Sequence, residues 1–271
     1  MTTTLLIVDC QKDFPPGGSL AIPSANDDAA RISSLIRTRG NAIDRIVATL
    51  DSHHKLHVTH PCFWTNGTTG EHPPPFTIIS AKDVETGVWV PRGDVRFGPG
   101  RSHRPIFEDD DDYRDGTTTT TPTTTPSSED FDVKSHCVEY ARRLESRGRF
   151  QLTIWPEHCL IGSSGHGVVD SVLDAMNEWS RTTGGVVEWV HKGENVWTEM
   201  YSALRAEVPV GGETGFNRAL MESVRDEMRE RRAYRLFLRS YLSAPPRWEE
   251  TYCSRCVFER LPPHPAFTSH T

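Results

Sequence analysis

Unbroken apolar runs alternate with amphipathic stretches through much of this chain. Leu5-Leu6-Ile7-Val8 is continuous rather than alternating, as in a strand buried on both faces, and it stops at Asp9. A Pro-Pro-Gly-Gly turn follows at 15–18. Asp27 to Arg37 then carries Ala30, Ile32, Leu35 and Ile36 on one helical stripe, with acids at its start. Ile46 to Leu50 is the next apolar run. Strand, helix, strand is the unit of a parallel sheet with crossover helices. Further along, the pattern predicts a helix over Val138–Leu144, a strand over Phe150–Trp155, a helix over Val168–Trp179, a strand over Val186–Val190, a helix over Phe216–Arg229 and a strand at Arg235–Leu238. No repeat is present. The expectation is an α/β fold, an open and mostly parallel sheet with helices on both faces in three Rossmann-like layers.

Two regions break the pattern. Between about 55 and 133 the periodicity dissolves, and an acidic, Thr/Pro-rich insertion at about 108–132 has too few apolar residues to bury a core. From 241 to 271 proline pairs and irregular spacing replace any period. The chain is therefore expected to form one domain over 1–240, carrying that insertion, followed by an irregular segment at 241–271.

Composition narrows the partners. The 271 residues carry a formal net charge of −7, which points away from a nucleic-acid backbone or an anionic membrane. A small molecule remains as the expected partner, and a homo-oligomer is left open. The N-terminal stretch lacks a basic region and a long apolar run, and no stretch is long enough to span a bilayer. Six cysteines (10, 62, 137, 159, 253 and 256) show no disulfide-framework spacing. An intracellular, cytoplasmic, reduced setting is the expectation.

Candidate chemistry gathers where apolar runs end. In open α/β sheets, ligands bind beyond the carboxyl ends of the strands. The first run ends at Asp9, the second at Asp51 with His53 two positions on, and Val186–Val190 at His191-Lys192. The run ending at Trp155 leads into Pro156-Glu157-His158. Asp51 and His53, two apart, point the same way and suit a divalent ion such as zinc, with His158 as a third ligand. His54, His57 and His60 compete for that role on spacing alone. Asp9, a carboxylate at a buried strand end, needs a partner, and Lys192 is the natural one. Asp9 could then act as a general base.

Four stretches, LLIVDCQKDFPPGGSLAIPSA, IVATLDSHHKLHVTHPCFW, LTIWPEHCLIGSSGHG and VHKGENVWTEMYSAL, resemble the isochorismatase-like cysteine hydrolases, most closely the nicotinamidase/pyrazinamidase branch. They occur in that family's order over roughly the first three quarters of the chain. The resemblance implies hydrolysis of nicotinamide or a similar small amide to the acid and ammonia. It implies Asp9 and Lys192 as catalytic residues and Asp51, His53 and His158 as ligands of a divalent metal, with zinc the expectation. It also implies aromatic rings lining the pocket, at Phe14 and at Phe63-Trp64.

The family's nucleophilic cysteine has no clear counterpart. Cys253 and Cys256 lie in TYCSRCVFERL, without the strand and glycine turn the family places before its cysteine. Ser135-His136-Cys137-Val138 looks similar but precedes the WPEHC stretch and falls on a helix. Three readings stay open: a hydrolase using Cys253 or Cys256, a metal- and ligand-binding relative without turnover, or another hydrolase of the superfamily, against which the Asp-x-His pair argues.

Overall fold

The computed structural model describes residues 3–95, 107, 132–148, 150–211, 214, 215, 217, 219 and 220. The acidic insertion at 108–132 apart from Asp132, the candidate strand at 235–238, the segment 241–271 and most of the candidate helix at 216–229 lie outside the described residues, as do Cys253 and Cys256.

The main sheet joins β1 (Thr4–Val8), β2 (Arg45–Asp51) and β7 (Glu188–Lys192), in the order β1-β2-β7 and all parallel. β2 lies between the other two. From Ile46 to Asp51 every residue of it is buried, which explains its unbroken apolar run. Side chains alternate between faces along each strand. Leu5 and Ile7 of β1 and Ile46, Ala48 and Leu50 of β2 share a core with α1 (Ala25–Arg39) and α4 (Asp170–Thr183). Val47, Thr49 and Asp51 therefore face the other way.

Both helices bury the face their spacing dictates. On α4, Val172, Ala175, Met176 and Trp179 form one stripe at intervals of three and four. The Trp179 indole N–H donates to Ile43 O, anchoring the turn before β2. Gly184, at φ +77°, ends α4 in the left-handed conformation that a residue without Cβ adopts at little cost.

A second core lies around α3 (Val133–Arg147). Its buried Cys137, Tyr140 and Leu144 pack with Val58, Phe63, Trp64, Leu152, Ile154, Trp197 and Val208. The Asp132 side chain caps α3 by accepting from Lys134 N and Ser135 N, both at 3.1 Å. Cys137 is wholly buried here and burial pushes its thiol up, in keeping with a packing residue.

The structure corrects two expectations. The stretch after residue 55 is not featureless: it forms β3 (Trp64–Asn66) and β5 (Trp89–Pro91), paired antiparallel, and α2 (Ala81–Thr86). Helix α2 is only six residues long and is set by a capping box at Ser80 and Asp83, too short to show a period. The run at Phe150–Trp155 contributes only β6 (Leu152–Thr153), which pairs antiparallel with β4 (Ile78–Ile79) and stands outside the parallel sheet. Its apolar residues read as strand because they fill the second core. No helix among the described residues is long and apolar enough to cross a membrane.

Candidate active site and metal centre

The carboxyl ends of the three parallel strands bring the candidate residues together. Asp51 and Lys192 are opposite one another in the register of β2 and β7. Lys192 Nζ lies 3.0 Å from Asp51 Oδ1, 3.1 Å from Asp9 Oδ2 and 3.2 Å from Met200 O, which accepts a hydrogen bond from it. The lysine is only 5% exposed, deeper than a place at the mouth of a pocket. Burial works against its charge, but Asp51 and Asp9 outweigh it and hold the ammonium protonated.

Asp9 reaches this cluster against the pleat. Strict alternation from Leu5 and Ile7 would aim it at α1 and α4. Its φ of +48° breaks the alternation, and the carboxylate meets Thr49 and Lys192 on the opposite side. Thr49 Oγ1 donates to Asp9 Oδ1 at 2.7 Å, and Asp9 N donates to Thr49 O at 3.2 Å. Two buried carboxylates share one lysine. Burial and the neighbouring Asp51 raise the pKa of Asp9 despite Lys192. Asp51 goes the other way: burial opposes its charge, but His53 and Lys192 hold it well below the usual carboxylate range. Asp9 is thus the carboxylate that takes a proton more readily.

Gln11, wholly buried, clamps the end of β2. Its Nε2 donates to Asp51 O at 2.7 Å and its Oε1 accepts from Asp51 N at 2.7 Å, so one amide satisfies both polar groups of that peptide. Gly193 follows Lys192 with φ +82°. A Cβ there would stand 2.7 Å from His53 Cε1.

His53 and His158 flank Asp51. His53 Nε2 is 3.1 Å from Asp51 Oδ1, and His158 Nε2 is 3.3 Å from Asp51 Oδ2. His158 arrives on the segment after β6, which bridges beside the residues following β2: His53 N donates to Cys159 O at 3.1 Å and Ile161 N to His53 O at 3.0 Å. Cys159, at φ +48°, donates its N–H to Asp13 Oδ2 at 2.6 Å and so holds this turn. Burial, and then the carboxylates of Asp51, Asp13 and Asp9, push the Cys159 thiol up.

The donor set fits a divalent cation. His53 Nδ1 faces Gly193 O at 3.1 Å and His158 Nδ1 faces Pro156 O at 2.8 Å. A carbonyl only accepts, so each Nδ1 carries the proton and each neutral ring turns its Nε2 lone pair toward Asp51. Lone pairs facing a carboxylate repel unless positive charge lies between them. A proton can supply it: burial disfavours charge on His53, yet Asp51 raises its pKa to about 9. A metal ion can supply it equally, and the ligand atoms of Asp51, His53 and His158 all lie within 4.8 Å of one another.

Phe14 is half-buried with its ring edge toward His158, centroids 5.9 Å apart. Trp64, the other aromatic expectation, sits deeper. It is wholly buried in the second core, 5.5 Å from the Phe63 ring, and its indole N–H donates to Val58 O at 2.7 Å. His54 is exposed. Gln11, Thr49, Thr59 and Glu199 lie within the quoted stretches, but their spacing alone did not mark them as part of the site. His57 and His60 had been competitors of His53, and the structure buries all three together.

No family model matches the chain, and no curated protein matches it. Among solved structures it is similar to the yeast nicotinamidase Pnc1p bound to the inhibitor nicotinaldehyde, with 20% identity over 76% of this chain and a TM-score of 0.40. It is also similar to a nicotinamidase/pyrazinamidase of Acinetobacter baumannii, at 16% identity over 83% of this chain with a TM-score of 0.42. A third is the pyrazinamidase of Pyrococcus horikoshii in complex with zinc, at 15% identity over 87% with a TM-score of 0.38. The alignments span 63%, 65% and 68% of those chains respectively.

Proposed function

We propose that the chain is a metal-dependent hydrolase of small amides. More narrowly, we propose that it works as a nicotinamidase does, converting nicotinamide or a similar pyridine carboxamide to the acid and ammonia. One observation carries this reading. Asp9 and Lys192, distant in sequence, meet at 3.1 Å beside Asp51, whose other contacts are His53 and His158. The four ordered stretches named above supply the same five residues.

Asp51, His53 and His158 would hold the metal, which when bound offers Lewis acidity toward a ring nitrogen or water. Asp9 takes a proton from a cysteine thiol as its sulfur bonds to the amide carbon. The C–N bond breaks and that proton leaves with ammonia. Water then cleaves the thioester, which releases the acid and restores the thiol. Lys192, fixed by two carboxylates and Met200 O, keeps positive charge beside the attacking sulfur. Cys253 and Cys256 are the candidate nucleophiles. The setting that suits a nucleophilic thiol is a reducing compartment.

The purified chain should release ammonia from nicotinamide. Asp9→Asn and Lys192→Met should each lower kcat by a hundredfold or more, on the order of the usual contribution of a general base. Turnover undiminished in both variants would reject the mechanism. Burial of Cys137 and Cys159 favours a second reading, a binding protein without turnover. Pyridine-carboxamide binding by calorimetry with no ammonia released would establish that reading.

A further inference from the structure

Two buried histidines beside the candidate metal centre have no role in the reading above. The His57 and His60 rings are both 0% exposed, and their Nε2 atoms have no hydrogen-bond partner among the described residues. A buried ring nitrogen left unpaired costs roughly 1–3 kcal/mol. The fold nevertheless fixes both rings from the far side. His60 Nδ1 lies 3.0 Å from Lys55 O, an acceptor only, so Nδ1 carries the proton and Nε2 the lone pair.

His57 has a relay that can support the same state. Thr59 Oγ1 donates to Glu199 Oε2 at 3.0 Å. With its proton committed there, Oγ1 can accept from His57 Nδ1, 2.8 Å away. Glu199 is itself pinned: Met200 N donates to its Oε1 at 2.8 Å. A carboxylate thus backs His57 through a hydroxyl, the kind of outer support that metal-bound imidazoles have. Thr59 N donates to His57 Nδ1 at 3.3 Å, a bond given up when Nδ1 takes the proton and Nε2 takes a metal ion.

The two rings converge on His53, with centroid distances of 4.7 Å for His57 and 5.4 Å for His60, and 5.3 Å between the two. One ligand atom from each of His53, His57 and His60 lies within 4.8 Å of the others. We infer that His53, His57 and His60 form a second transition-metal position, adjoining the Asp51–His53–His158 group and sharing His53 with it. Three imidazole nitrogens suit Zn²⁺ or Co²⁺. His53 Nε2 has one lone pair, so an ion in the tri-histidine position draws His53 away from Asp51. The inference concerns the same cleft as the proposed hydrolysis but does not depend on turnover.

Cobalt(II) titration of the metal-free full chain tests it, read by calorimetry and by visible ligand-field absorption. His158→Ala removes a ligand of the first group only and should still bind one equivalent of cobalt. Adding His60→Ala or the bulkier His60→Gln to that variant should abolish the binding. Adding Thr59→Val should weaken it about tenfold or more, through loss of the His57 anchor. Two results would overturn the inference: a His158→Ala chain with native circular dichroism that binds no cobalt, or cobalt binding in that chain indifferent to both His60 substitutions. Neither result bears on ammonia release from nicotinamide, so failure here is distinguishable from failure of the hydrolase reading.

Discussion

At the scale of single residues, the site depends on a few backbone positions in the left-handed region, which costs energy for any residue with a Cβ. Asp9 and Cys159 both adopt positive φ, and both adjoin functional contacts. Such conformations cost about 1–3 kcal/mol and persist where surrounding contacts determine them. Here those contacts are the Thr49 and Lys192 bonds to Asp9, and the Asp13 carboxylate on Cys159 N. Gly193 is the third such position. Gly193→Ala would place a methyl 2.7 Å from His53 Cε1 at a φ of +82°. Zinc affinity, measured by competition with a chelating dye, should fall tenfold or more, on the order of a lost outer-shell support. An unchanged affinity would show that His53 has no part in holding the metal.

At the scale of elements, the strands deliver the site and the helices hold the strands. Asp51 and Lys192 meet because β2 and β7 are in register. That register is kept by the face of β2 packed against α1 and α4, since a one-residue slip would turn Ile46, Ala48 and Leu50 away from their core. Met176, wholly buried in the α4 stripe, tests this support. Met176→Ala should destabilise the chain by about 2–5 kcal/mol, read as a shifted urea midpoint. A cost within error of zero would mean that α4 does not stabilise the sheet. Most of these elements were legible: β1, β2, α1, α4 and β7 were each anticipated within a few residues, because buried runs and helical stripes are local signals. The six-residue α2 and the antiparallel pairs were not, because a strand of two or three residues has no period to read.

At the scale of the whole molecule, the site is a concentration of buried charge and unpaired nitrogen joining distant parts of the chain. Asp9, Asp51, Lys192 and Glu199 are drawn together with four histidines, and a bound cation would engage the ring nitrogens that have no partner among the described residues. Metal should therefore stabilise the native state by mass action. Zinc at roughly a hundredfold excess over Kd should add about 2.7 kcal/mol, seen as a raised Tm that a chelator reverses. A Tm indifferent to both zinc and chelator would leave the histidine cluster without a metal.

The five residues at the centre of the site were legible in the sequence because each stands at the end of an apolar run or within a recognisable stretch. What belonged to the sequence alone was the set of buried runs, the helical stripes and the reactive residues that end them. These follow from local periodicity and from the cost of leaving a charge at a strand terminus unpaired. Only tertiary structure could decide that Asp9 turns against the pleat, that Trp64 fills a core and that His158 comes from outside the sheet. It alone shows that Glu199, through Thr59, orients His57. Those outcomes rest on contacts between residues far apart in the chain, 140 positions in the case of Thr59 and Glu199, made by packing and hydrogen bonding that no local pattern encodes.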